Sequence, residues 1–165
     1  MPNGVYRGRA ASHYDGRSMG AHPYYYFVDY QPDVGAALQT LRQREFQAGR
    51  YNPVIAFPEF PVGSRAPAPG AAHASIELAR QAADADGTRS ILDLHFVTPE
   101  PEFCAVSPLG DFDLKKHFGT TQPTHEMVER NMAFFSDIDR GQGIYIVIYK
   151  QNKPSEIFFA GYSFD

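Results

Sequence analysis

Tryptophan is absent from this chain, and cysteine occurs once, at Cys104. A single cysteine excludes an intrachain disulfide and fits a reducing compartment. No apolar run approaches the roughly 20 residues that a membrane-crossing helix requires; the longest covers residues 144–149. The first residues also lack the apolar core of a secretory signal, so the cytoplasm is the expected address and no membrane partner is expected. Runs of one charge are missing as well. Fifteen Lys and Arg stand against nineteen Asp and Glu, for a formal net charge of −4. The basic residues are scattered apart from the pair Lys115-Lys116. Phosphate neutralisation drives most nucleic-acid affinity, so nucleic acid is not an expected partner.

Hydrophobic residues make up 43% of the 165-residue chain and charged residues 21%. That is ordinary globular composition, sufficient for one core without a disulfide or metal staple. Ten tyrosines and thirteen phenylalanines must carry much of the burial that tryptophan would otherwise share.

Residues 1–22 show no helical or strand period, and a flexible tail is expected there, with one domain over residues 23–165. Tyr24 to Tyr30 form an aromatic, β-branched run that predicts a strand. Asp33 is a suitable helix N-cap. Val34, Ala37, Leu38 and Leu41 then recur at steps of three and four, so a helix should reach about Ala48 and stop at Gly49. From Arg50 to Ala72, five prolines exclude a helix, while Tyr51, Val54, Ile55, Phe57 and Phe60 argue for a packed, extended loop. A second helix is expected over residues 75–85. The alternation of Leu92, Leu94 and Phe96 with Ile91, Asp93, His95 and Val97 predicts a strand over residues 90–97, with a short partner at 103–106. A short helix over 113–118 and a longer one over 125–139, capped by Thr124, should follow.

The firmest reading concerns the C-terminus. Residues 144–149 are apolar at every position, which calls for cover on both faces. A polar turn containing Asn152 separates them from residues 157–162, so the two runs predict a hairpin, with Gly161 a candidate bulge. The expected fold is therefore α+β: a single domain with a roughly five-stranded antiparallel or mixed sheet, about four helices packed mostly on one face, and a C-terminal β-hairpin.

Three groups of residues suggest chemistry. Asp93 and His95 share a strand face, and a hairpin pairing would bring Cys104 beside them. A thiol, a base and an orienting carboxylate are the parts of a nucleophilic site, but a lone cysteine is more often a small buried hydrophobe. His73 and Ser75, at the start of a helix, form an anion-binding candidate with Arg89; Ser75 as a plain N-cap is the simpler reading. His125 and Glu129 share a helix face, yet no third ligand follows at a recognisable spacing, so neither metal nor cofactor is expected.

For partner binding, the loop offers Arg50, Tyr51, Phe57, Glu59 and Phe60, types enriched at interface hot spots on a backbone preorganised by proline. The leading expectation is a non-catalytic protein-binding module, of immunity type or an accessory protein that sequesters another protein. The alternatives are a small hydrolase or transferase using Asp93, His95 and Cys104, or His73, Ser75 and Arg89, and a small-ligand domain with an aromatic pocket lined by Tyr24, Tyr26 and Phe27.

Overall fold

The computed structural model describes residues 21–55 and 66–165. The tail expected over residues 1–22 falls almost wholly outside these, as do the loop candidates Phe57, Glu59 and Phe60. His22 is described, and it is tied down: its backbone N donates to Ser163 Oγ at 2.8 Å.

The first strand, β1 (Pro23–Asp29), opens the fold and is followed by α1 (Val34–Ala48). Asp33 caps that helix by accepting from Ala36 N at 3.0 Å, and Gly49 ends it in the left-handed conformation. Next come α2 (Ile76–Ala83), capped by Ser75, and two short strands, β2 (Phe96–Val97) and β3 (Ala105–Pro108). Two helices, α3 (Asp111–Phe118) and α4 (His125–Arg130), precede the terminal pair, β4 (Gly143–Lys150) and β5 (Lys153–Tyr162). One mixed five-stranded sheet results, in the order β1-β5-β4-β3-β2. β5 runs antiparallel to both β1 and β4, whereas β3 runs parallel to β4 and β2 parallel to β3.

The α+β class, the mixed sheet of five strands and the C-terminal hairpin agree with the sequence. The helices, however, divide between the faces instead of gathering on one. Ala37, Leu38, Leu41 and Phe46 of α1 and Ala79 of α2 pack with Tyr24, Tyr26, Ile157 and Phe159. Leu114 of α3, Val128 of α4 and Phe134 pack with Ile144, Ile146, Ile148 and Phe158 on the other side. The crossover between the parallel strands β3 and β4 carries α3 and α4 over the second face, so both faces are covered.

Two predicted elements are overturned. Residues 90–97 are not a continuous strand: a 3-10 turn spans Ile91–Asp93, and only Phe96–Val97 joins the sheet. The Asp93 carboxylate bonds back to Thr88, and Ser90 Oγ accepts from Leu92 N at 3.3 Å. These side chains give the backbone local partners in place of a ladder. Burial then comes without alternation, with Ile91, Leu92 and Leu94 all fully enclosed.

The helix expected over 125–139 stops at Arg130. Asn131 breaks it, donating from Nδ2 to the His117 carbonyl at 2.8 Å and accepting from Ala133 N at 3.1 Å, and a 3-10 turn follows at Ala133–Asp137. Nor do β2 and β3 form a hairpin. They pair in parallel, Phe96 with Ala105 and Val97 with Val106. A two-residue strand needs the chain to return only about 7 Å, and Cys104, at φ 61°, makes the sharp re-entry.

Gly161 is no bulge either. It pairs in register with Tyr24 and Gly143, and a Cβ there would lie 2.8 Å from the Tyr24 ring. The register shift sits at Ile148/Tyr149, where Pro154 enters the ladder.

At the hairpin tip Gln151 and Asn152 both have positive φ, 52° and 61°. That geometry twists with the strands but is costly for a side chain such as Gln. Replacing the pair with Asn-Gly (Gln151→Asn with Asn152→Gly) should stabilise the fold by about 1 kcal/mol. The check is a rise in the urea midpoint at unchanged m-value; an unchanged midpoint refutes the strain.

Candidate functional site

One end of the sheet gathers the polar residues and the unusual backbone. It holds the starts of β1, β2, β3 and β4, the end of β5 and the turn at residues 87–93. Gly87, Arg89, Cys104 and Gly141 all have positive φ there. Backbone bonds stitch the end together: His95 N donates to Cys104 O, and Cys104 N to Gly141 O, both at 2.8 Å.

Asp93 lies at the centre of this end and is 1% exposed. Its Oδ1 accepts from Thr88 N at 2.9 Å and from Thr88 Oγ1 at 2.8 Å. Its Oδ2 is buried without a hydrogen-bond partner among the described residues. Burial raises the Asp93 carboxyl above its ordinary range, against the pull of the Thr88 bonds and of Arg80. Gly87 is required beside it, since a Cβ there would stand 2.8 Å from Oδ2.

The same electrostatic neighbourhood holds more orphaned atoms. Tyr24 Oη, His95 Nε2, Arg42 Nε and Arg80 Nε are likewise buried without partners. Each such group costs on the order of 1–3 kcal/mol. Arg42 is 9% exposed and has no carboxylate within ion-pair distance among the described residues. Its other nitrogens donate to Gln39 Oε1 at 2.8 Å and to the Leu92 carbonyl at 3.2 Å. Burial, and then Arg80, lowers the Arg42 pKa.

The fold therefore brings His95 and Cys104 together at the backbone, through a parallel pairing and not through a hairpin. It does not join Asp93, His95 and Cys104 by side-chain hydrogen bonds. Burial, followed by Arg80 and Arg42, lowers the His95 imidazole, and burial pushes the Cys104 thiol up. Neither shift activates a nucleophile, which needs a depressed thiol or a bonded base.

The residues of the second predicted group each bond to other partners. His73 Nδ1 meets Tyr51 Oη at 2.8 Å, and Ser75 caps α2 by accepting from Leu78 N at 3.2 Å. Arg89 turns to the C-terminal residue, donating to Asp165 Oδ2 from Nε at 2.9 Å and from Nη2 at 2.6 Å. Asp165 also accepts from Ser163 Oγ and contacts His22 Nδ1 at 3.3 Å. Burial works to raise this carboxyl, but the bonds from Ser163, Arg89 and His22 outweigh it and hold it below its ordinary range.

The described part of the loop is used internally. Arg50 pairs with the buried Glu45 carboxylate at 3.1 Å, and Tyr51 is fully enclosed against Phe46. The aromatic pocket does not form: Tyr24 and Tyr26 belong to one core, while Phe27 packs on the opposite face and stacks on His125 at 4.0 Å. Adjacent strand residues must point to opposite sides. His125 bonds to Glu156 Oε2 at 3.0 Å, with Glu129 3.9 Å away.

One group escaped the sequence reading. Asp113, His117 and Asp137 place one ligand atom each within 4.8 Å of one another. The i, i+4 spacing of Asp113 and His117 within the predicted helix was a legible signal. Asp137 was hidden by the helix expected over 125–139.

Two measurements test this description. Because the folded Asp93 carboxyl lies above its unfolded value, it supports the fold at acid pH, and that support is lost as pH rises through the folded pKa. Asp93→Asn keeps the Oδ1 acceptor without the charge, so its stability relative to wild type should grow from about pH 4 to pH 7. Asp93→Ala should cost about 2–3 kcal/mol at about pH 4 by stranding the Thr88 donors, a cost that shrinks toward pH 7 in step with the gain of the Asn variant. Parallel wild-type and Asn curves in chemical denaturation would remove Asp93 from its stated role. Separately, iodoacetamide should alkylate folded Cys104 more slowly than an unfolded-chain thiol at neutral pH, with the half-maximal rate shifted to higher pH. A rate maximal already at neutral pH would mean a thiolate.

No family model matches the chain, and no curated protein or solved structure matches it either.

Proposed function

We propose that this chain is a protein-binding module whose contact surface is the open edge of the sheet at β2, where Phe96 and Phe103 act as anchors for an extended segment of a partner protein. The observation that carries this reading is their exposure: Phe96 is 48% and Phe103 61% exposed. They stand one residue beyond each member of the bonded pair His95–Cys104, so a single backbone bond holds both near one place. His95 and Cys104 themselves are half-buried, and Phe103 meets the Phe164 ring at 5.2 Å.

Scattered single apolar residues on a surface need no explanation, but two exposed phenylalanines flanking one backbone-bonded pair at a sheet edge do. Among the described residues β2 is the last strand of the sheet. Although Gln39 Nε2 donates to the His95 carbonyl at 2.8 Å, no further strand pairs with Phe96–Val97, which leaves an edge that an added strand can use. Large aromatics supply interface energy at little entropic cost. The loop root at Arg50 and Tyr51 supports binding less well, because both side chains already serve the fold. Catalysis by Asp93, His95 and Cys104 is supported less again, because burial raises the thiol and no side-chain bond links the three.

A photo-crosslinking residue at position 96, introduced into the full chain in its native cell, should trap a discrete protein adduct. The same residue at position 112 should not, although Phe112 is 79% exposed on α3. Phe96→Ser should leave the melting temperature unchanged and weaken binding of the trapped partner by about tenfold or more. No adduct at 96, or equal adducts at 96 and 112, would overturn the assignment.

A further inference from the structure

α3 carries a group of polar side chains at the rim of the second core, away from the β2 edge. Asp113 and His117 lie one turn apart on the same helix face, and Asp137 reaches them from the 3-10 turn at Ala133–Asp137. His117 Nε2 approaches Asp137 Oδ2 to 3.1 Å, and the three donors all fall within 4.8 Å of one another. We propose that Asp113, His117 and Asp137 form a binding site for a divalent transition cation, with zinc as the representative ion.

The imidazole separates this group from an acidic surface patch. Its side chain is only 9% exposed, and its ring is set edge-on to Phe134 at 6.2 Å. The backbone beneath it is pinned by Asn131, whose Nδ2 donates to the His117 carbonyl at 2.8 Å. The bond that ends α4 thus also fixes the helix bearing two of the donors against the segment bearing the third. A held nitrogen flanked by two carboxylates matches the borderline donor preference of zinc and its neighbours, whereas calcium and magnesium prefer oxygen alone.

Bonds of about 2.0–2.2 Å to a central ion require donors roughly 3.3 Å apart. The His117–Asp137 pair already meets that spacing, and a change in the Asp113 side-chain torsions supplies the rest. Asp137 is 42% exposed, which leaves an approach from solvent and room for further ligands on the ion. Lys116 Nζ stands 4.0 Å from the same Asp137 oxygen. It partly neutralises that carboxylate, and its half-exposed, flexible stem lets it swing out as the ion enters.

The site lies apart from the β2 edge, so its test is independent of the partner-binding proposal. The full chain, stripped with chelator and dialysed, is titrated calorimetrically with zinc chloride and, separately, with calcium and magnesium chloride. Cobalt(II) absorption provides a second readout of nitrogen and oxygen ligation. One zinc per chain should bind, with no comparable uptake of calcium or magnesium. Asp113→Asn and His117→Gln should each weaken zinc binding by about tenfold or more, and His125→Gln, outside the site, should leave it unchanged. Should His117→Gln fail to give the wild-type circular dichroism spectrum, the half-exposed Asp113 carries the test by itself. Absence of zinc uptake, or equal loss in His125→Gln and Asp113→Asn, overturns the proposal.

Discussion

Burial of β5 on both faces and along both edges is the constraint on which the other elements depend. Its neighbours β1 and β4 satisfy its backbone, while Ile157, Phe158, Phe159 and Ala160 are fully enclosed. Alternate side chains therefore need two separate roofs. Phe159 joins the core under α1 and α2, and Phe158 joins the core under α3, α4 and Phe134, meeting the Phe134 ring at 5.7 Å. Each buried aromatic contributes on the order of 2–3 kcal/mol, so neither roof is dispensable. The crossover between β3 and β4, the division of helices between the faces and the close fit of Gly161 beneath Tyr24 all follow from that demand.

The two ends of the sheet are treated differently. At the hairpin tip the strands end in a two-residue turn, and little polar chemistry is enclosed. At the opposite end the chain leaves Asp93, Tyr24, His95, Arg42 and Arg80 with orphaned polar atoms and bends through several positive-φ residues. Strain and unsatisfied polarity of this kind persist only where surrounding structure holds them. Here Thr88 anchors Asp93, while Arg89 and Asp165 tie the turn to the C-terminus. The exposed phenylalanines of the proposed contact surface project from this braced end, so a partner would meet rigid anchors there. The cation site lies on α3 and the 3-10 turn, where a different bond, from Asn131 to His117, provides the rigidity.

Legibility in the sequence followed the range of the interactions. The caps at Asp33, Ser75 and Thr124 act within three residues, and all three were readable. The strand at Tyr24 and the hairpin were readable because their apolar patterns are dense. Residues 90–97 looked like a strand because their types alternate, yet Asp93 spends its carboxylate on Thr88 and coils the segment. The helix over 125–139 kept its period past Arg130, but the Asn131 amide was claimed by a carbonyl on another helix. Such competitions are between a local pattern and one specific partner, and the pattern alone gives no sign of the loser.

The chain by itself determined its class, its element order and the central place of the hairpin, because hydrophobic period, turn residues and caps are properties of neighbouring positions. The tertiary structure decided which face each helix covers, that β2 and β3 run parallel, and that Asp137 meets Asp113 and His117. It also gave Arg89, His73 and Ser75 each a different partner and withdrew Arg50 and Tyr51 into the fold. Each of those outcomes joins residues far apart in sequence, where the choice of partner is settled by packing and by the cost of leaving a buried polar group unpaired.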